Sequence, residues 1–140
     1  MIRWRAAFVL TRVLAAVPVA ASVPVLASAQ EAFQLPSGNI HCAAFDGVLR
    51  CDVLQSTFRR PPRPRDCEQD FGDSVELGSR GPARMVCHGD TVADPKALVL
   101  GYGRAWQGRG LSCTASQAGL RCVNAEGRGF EMSRAALRLF

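Results

Sequence analysis

The chain has 140 residues, 48% of them apolar, with 17 Lys plus Arg against 12 Asp plus Glu; that length suits one small domain and excludes a multi-domain enzyme. Three of the arginines fall within the first 29 residues, and without that segment the count is 14 basic against 12 acidic, lowering the net charge from +5 to +2. So slight an excess argues against a nucleic-acid partner, because most of the apparent basicity belongs to the N-terminal segment.

That segment reads as a signal peptide. MIRWR supplies two early arginines, an Ala-, Val- and Leu-rich run extends from Ala6 to Leu26, and Ala27-Ser28-Ala29 forms a small-x-small cleavage site. A membrane-spanning helix needs about 20 uninterrupted apolar residues, whereas Arg12, Pro18 and Pro24 break this run. Arg3 and Arg5 are separated by Trp4, so the adjacent pair of a twin-arginine signal is absent. The expected organisation is a cleaved leader over 1–29 and one domain over 30–140, exported to the periplasm or the medium without a transmembrane anchor. In such an oxidising compartment an even count of six cysteines implies a disulfide framework.

The first two cysteines bracket CAAFDGVLRC, residues 42–51, with Asp46-Gly47 at its centre. Asp-Gly is a strong signal for a two-residue hairpin turn, in which both central residues need positive φ. Pairing outward from that turn sets Phe45 opposite Val48, Ala44 opposite Leu49 and Cys42 opposite Cys51. The cysteines fall at a non-hydrogen-bonded position, where Cα atoms approach to about 4.5 Å, close enough for a disulfide. The same spacing and the same closing Leu-Arg-Cys return in CTASQAGLRC, residues 113–122. There a four-residue loop, Ser116 to Gly119, leaves Ala115 opposite Leu120 and Cys113 opposite Cys122. Cys67 with Cys87 follows by elimination.

Between and after these hairpins the signals are short. Residues 30–36 read as a lead, and Ser37-Gly38-Asn39 as a turn. Arg59 to Arg65, RRPPRPR, has prolines at 61, 62 and 64 and must be extended, polyproline-like chain. Glu68 to Glu76 reads as an acidic turn region, Ala83 to His88 as a strand, and Ala97 to Leu100 as a short apolar strand. Strands at Leu111 to Ala115, Leu120 to Asn124 and Gly129 to Ser133 make a C-terminal meander, and residues 134–140 suit either one helical turn capped by Ser133 or an edge strand. No stretch carries a long helical period. The fold expected is all-β: a small, disulfide-rich antiparallel domain built from two stapled hairpins and the meander.

In order along the chain, LPSGNIHC (35–42), LRCDV (49–53), Pro64-x-x-Cys67 with Asp70-Phe71-Gly72, VCHGDT (86–91), GYGRAW (101–106) and GLRCVNAEGRGFEMSR (119–134) together resemble a family of small exported bacterial proteins classified only as a domain of unknown function. The resemblance spans nearly all of residues 30–140 and implies secretion, the six-cysteine framework and a single domain. It implies no reaction. The family pattern has tryptophan where Phe71 stands and histidine where Arg128 stands, so no acid–base role carries over to position 128.

Candidate chemistry is sparse. His41-Cys42 and Cys87-His88 hold ligand types that suit zinc, but the usual short ligand spacings are missing. Disulfide formation would also consume the sulfurs, removing a nucleophilic thiolate as well; no metal and no cofactor are expected. His88 and Asp90 could serve a hydrolase, yet no G-x-S-x-G accompanies them, and His88-Gly89-Asp90-Thr91 is also an ordinary β-turn with Asp90 bonding nearby amides. Asp66, Glu68, Asp70, Asp73 and Glu76 could supply a carboxylate pair for glycoside cleavage, or simply be solvated.

Two surfaces stand out. Arg59, Arg60, Arg63 and Arg65 could grip an anionic envelope polymer or lipid phosphates, although pairing with the acids at 66–76 is the simpler role. Tyr102 and Trp106 could form an exposed aromatic patch, although so small a domain needs Trp106 in its core. The function expected is therefore a non-enzymatic, disulfide-stabilised binding module, whose partner is an envelope polymer, a lipid surface or another exported protein. The alternatives are an inhibitor of a secreted enzyme and a small secreted hydrolase using His88 and nearby acids.

Overall fold

Ile40, Cys42 and Ala44, and then Leu49, Cys51 and Val53, fall at every second position, so each extended stretch has one apolar face fit for a core. In the computed structural model, which describes residues 31–140, that alternation organises the first of two sheets. The segment read as a signal peptide, residues 1–29, lies outside the described residues. The first sheet contains β1 (Ala32–Gln34), β2 (Ile40–Phe45), β3 (Val48–Val53), β4 (Ser74–Gly78), β5 (Arg84–Met85) and β6 (Leu98–Val99), in the spatial order β5-β4-β3-β2-β1-β6. The second contains β7 (Ala105–Gly108), β8 (Leu111–Ser116), β9 (Gly119–Asn124), β10 (Gly129–Met132) and β11 (Leu137–Leu139), in the order β11-β10-β9-β8-β7. Among the described residues there is no helix.

The chain is thus all-β, and each sheet is built around a stapled hairpin. Asp46 (φ 48°) and Gly47 (φ 79°) make the turn between β2 and β3, and the pairing runs from Phe45–Val48 to Cys42–Cys51 and beyond, as the turn dictates. The bridged Cα atoms are 4.1 Å apart. In the second hairpin Cys113 pairs with Cys122 and Ala115 with Leu120, with Cα atoms 4.0 Å apart, but Ser116 also pairs with Gly119. The loop is therefore two residues, Gln117-Ala118, and not four. Gly119 adopts φ 130° and the Ala118 amide donates to Ser116 Oγ, so a glycine and a hydroxyl close the turn without an Asn-Gly or Asp-Gly pair. Cys67 and Cys87 form the third bridge.

Other expectations need correction. The lead at 30–36 holds β1, which sits inside the first sheet between β2 and β6; the acidic stretch contains the start of β4, hydrogen-bonded between β3 and β5. The strand expected over Ala83 to His88 is only Arg84–Met85, plus an isolated Asp70–His88 bridge. Ala97 to Leu100 contracts to Leu98–Val99, and this strand runs parallel to β1; every other strand pairing is antiparallel. A parallel neighbour requires a long crossover, supplied here by the path from β5 at one edge to β6 at the other. Residues 134–140 give an edge strand and no helical turn: Ser133 Oγ accepts the amides of Ala135 and Ala136, closing a tight turn from which β11 returns along β10.

The inner faces of both sheets share one core. Trp106 on β7 lies 5.4 Å, ring to ring, from Phe33 on β1, joining the layers. Both hairpin disulfides point into this core, with Cys42, Cys51, Cys113 and Cys122 all buried, whereas Cys87 is exposed. Limited reduction of the native protein with dithiothreitol, followed by alkylation and peptide mapping, should therefore label Cys67 and Cys87 first. Labelling of Cys113 and Cys122 at the same rate would contradict this placement.

Candidate functional site

Because Cys51 on β3 faces the core, its neighbours Arg50 and Asp52 must face outward. The outer face should then be wet, yet Arg50, Asp52, Ser74 and His41 are all buried. What covers them is the crossover. Residues 86–97 pass over this face on their way to β6, bonding each strand in turn: Asp90, Thr91 and Val92 to β3, Asp94 to His41 on β2, and Asp94, Pro95 and Ala97 to Gln34 on β1.

Asp52 is the hub. Its Oδ1 accepts from Arg50 Nε at 3.0 Å and from Ser74 Oγ at 2.6 Å; its Oδ2 accepts from Arg50 Nη2 at 3.2 Å, Thr91 Oγ1 at 3.0 Å and the Val92 amide at 3.0 Å. Arg50 Nη1 donates to Asp90 Oδ1 at 2.8 Å and Nη2 to the Asp90 carbonyl at 2.9 Å. Burial pushes the Asp52 carboxyl upward, but the Ser74, Val92 and Arg50 donors outweigh it and hold it below its ordinary value. Asp90 also titrates low, through its bond to Arg50.

His88 extends the cluster. Its Nδ1 lies 2.7 Å from the Asp90 carbonyl and its Nε2 2.8 Å from Asp73 Oδ1. A carbonyl and a carboxylate only accept, so the protonated ring, donating from both nitrogens, is the form that satisfies both contacts. Asp73 Oδ2 also pairs with Arg60 at 3.1 Å. Burial opposes the charge on His88, but the hydrogen bonds to Asp73 and Asp90 and the fields of Asp73 and Asp52 prevail, raising its pKa above 6.5. His88 therefore stabilises the fold fully below about pH 6.5, and that contribution is lost as pH rises through the raised folded-state value. Unfolding free energy should fall over this range in the native protein and stay flat in His88→Gln, as urea titrations at successive pH values would reveal. Equal slopes for the two proteins would contradict the assignment.

As chemistry, this cluster is closed. Ser74 is fully buried and its hydroxyl proton is committed to Asp52, and both His88 ring nitrogens are engaged, by the Asp90 carbonyl and by Asp73. The Asp90 carboxylate bonds chiefly to Arg50. His88, buried and bonded at both ring nitrogens, thus offers the hydrolase reading no exposed base. For zinc, Cys42 and Cys87 are in disulfides, and His41 accepts the Asp94 amide at Nδ1 while Nε2–H donates to the Gly38 carbonyl. Among the described residues no three His, Cys, Asp or Glu side chains gather as a metal site.

The arginine run divides. Arg60 pairs with Asp73, and Arg63 donates to the Gln69 carbonyl; Arg59 and Arg65 are exposed. Gly72, at φ 95°, lies so close beneath Arg60 and Pro61 that a Cβ there would sit 2.9 Å from Pro61 Cδ, seating the proline segment on the lead into β4. The aromatic pair is also split. Trp106 is core at 5% exposure, whereas Tyr102 is 44% exposed, so the two do not form one exposed patch.

Tyr102 instead lines a groove of about 380 Å³ at the end of the domain where the two hairpins face one another. Ile40 and Leu54–Gln55, flanking the first hairpin, form one side; the Gln117-Ala118 turn of the second and Ser133–Arg134 form the other. Tyr102 and Leu54 are two of the five large apolar side chains exposed among the described residues. The wall is fixed from within. Asn39 donates to the Gln55 carbonyl and accepts the Gln55 amide, and Arg134 Nη2 donates to Gln55 Oε1 at 2.7 Å.

Residues 9–140 match a family of unknown function, DUF6636. This chain belongs to that family. No curated protein and no solved structure matches it. Membership therefore extends the fold and its three disulfides to no known reaction, and the functional reading rests on the groove and the cluster. Sequence reading missed both: Arg50, Asp52 and Ser74 become a buried network only under the crossover, and the groove joins five separate segments.

Proposed function

We propose that the protein is an exported, non-enzymatic binding module whose ligand occupies the groove between the two stapled hairpins. The single observation that supports this is the groove itself: an exposed tyrosine and leucine beside polar side chains, in a recess whose size falls in the ordinary range for small-ligand sites. Three disulfides and the absence, among the described residues, of any helix long and apolar enough to cross a membrane are compatible with export. Each disulfide-bonded hairpin supplies one side of the recess, so little ordering cost remains to be met on binding. Arg60 has a structural role in this reading, clamping the proline segment to Asp73.

The test is a ¹⁵N chemical-shift titration of the oxidised domain with solubilised anionic envelope polysaccharide. Perturbations centred on Tyr102, Gln55 and Arg134 are expected. Perturbations centred on Arg59, Arg63 and Arg65, or none, would overturn the proposal in favour of the basic segment or of no polysaccharide ligand.

A further inference from the structure

Resting on that reading of the groove, we propose that its ligand is a carboxylate-bearing oligosaccharide that runs from the Tyr102 groove across the Gln117-Ala118 turn into a second recess. That second recess, about 390 Å³, shares Ser116, Ala118, Gly119 and Ser133 with the first, so the two form one continuous surface longer than a single sugar ring. Among the described residues, Arg134 is the only charged one lining the first recess. The second is lined by Arg121, Arg138 and Glu131, where one carboxylate serves two arginines at 3.0 and 2.7 Å. Among the described residues this surface therefore has an excess of positive charge, and its one acid, Glu131, has two basic partners.

The polar chemistry on offer belongs to side chains. The Tyr102 hydroxyl, the Gln117 amide and Gln55 Nε2 have no intramolecular partner among the described residues, and Arg134 commits only Nη2, to Gln55. An aromatic face, free amides and a guanidinium fork suit, respectively, the C–H face, the hydroxyls and a carboxylate of an acidic sugar. An extended peptide would instead need main-chain partners. The amides of Leu35, Gly38, Asn39, Leu54, Gln55 and Ala118 along this wall are already donated internally.

The experiment is calorimetric titration of the oxidised protein with tetragalacturonate, with neutral cellotetraose and with a tetraglutamate peptide, repeated on Tyr102→Ala, Arg134→Gln and the Arg59/Arg63/Arg65→Gln triple variant. Tyr102 and Arg134 are exposed, so their replacements leave the fold intact. The expected result is that tetragalacturonate binds roughly tenfold or more tightly than cellotetraose. Arg134→Gln should remove that preference, Tyr102→Ala should weaken both saccharides, and the triple variant should change neither.

Equal affinity for both saccharides, lost in Tyr102→Ala and indifferent to Arg134→Gln, would overturn the acidic class while leaving the groove as the site. Preference for tetraglutamate, or no binding of tetragalacturonate, would overturn the saccharide. Tetragalacturonate binding that survives both groove variants and fails in the triple variant would overturn the groove itself.

Discussion

Asp52→Ala is expected to destabilise the protein by about 3–5 kcal/mol, the usual consequence of removing one partner of a buried ion pair. The carboxylate takes five donors from Arg50, Ser74, Thr91 and the Val92 amide, and its loss leaves the Arg50 guanidinium buried with only Asp90 to meet its charge. The crossover would also lose its attachments at Thr91 and Val92. Chemical denaturation measures the loss directly. Asp90→Ala provides the contrast, because that side chain is 81% exposed and water replaces what it gives; its effect should be far smaller. Equal losses in the two variants would mean that the cluster does not concentrate its energy at Asp52.

The second large effect is expected from the hairpin staples. Replacing Cys113 and Cys122 together by alanine should cost roughly 3 kcal/mol, the chain-entropy value for a loop of this length, and the same holds for Cys42 with Cys51. Domains of this size are stable by only about 5–15 kcal/mol, so losing both staples should leave the protein largely unfolded at 37 °C. The double-pair variant would reveal this by circular dichroism, and a cooperative native transition at an unchanged midpoint would contradict it. Removing these sulfurs also takes atoms out of the core, since all four lie on the inner faces; the measured loss should therefore not fall below the entropy value.

The residues that declared themselves in the sequence are those whose partners lie close by in the chain. Asp46-Gly47 determines its own turn, and the turn determines which residue opposes Cys42. The repeated ten-residue spacing carried the second bridge even though Ser116 and Gly119 close a shorter loop than the glycine position alone suggested. What stayed hidden is non-local. β1 is three residues long and gains its identity from pairing with β2 on one side and β6 on the other. Asn124 looks like the last residue of a meander strand, but its side chain amide donates to the Gly78 and Gly81 carbonyls while its oxygen accepts the amides of Glu126 and Arg128. It thereby ties the second sheet to the β4–β5 turn of the first.

His88 illustrates the same limit. Beside Asp90 in sequence it resembles half of a catalytic pair, whereas in space it donates to the Asp90 carbonyl and to Asp73, fifteen residues away. Its charge holds a loop in place. The groove is more distant still from local pattern, because Tyr102 owes its exposure to being left outside the core that Trp106, four positions later, enters.

Three disulfides close the domain, two of them each stapling one of the hairpins that border the groove, and the proposed binding role rests on export. The measurement that tests this most directly is the intact and peptide-mapped mass, without reduction, of the protein recovered from a host that exports it. The predicted result is an N-terminus at Gln30 and bridges joining 42 to 51, 67 to 87 and 113 to 122. An intact leader, or free thiols at the hairpin cysteines, would contradict it.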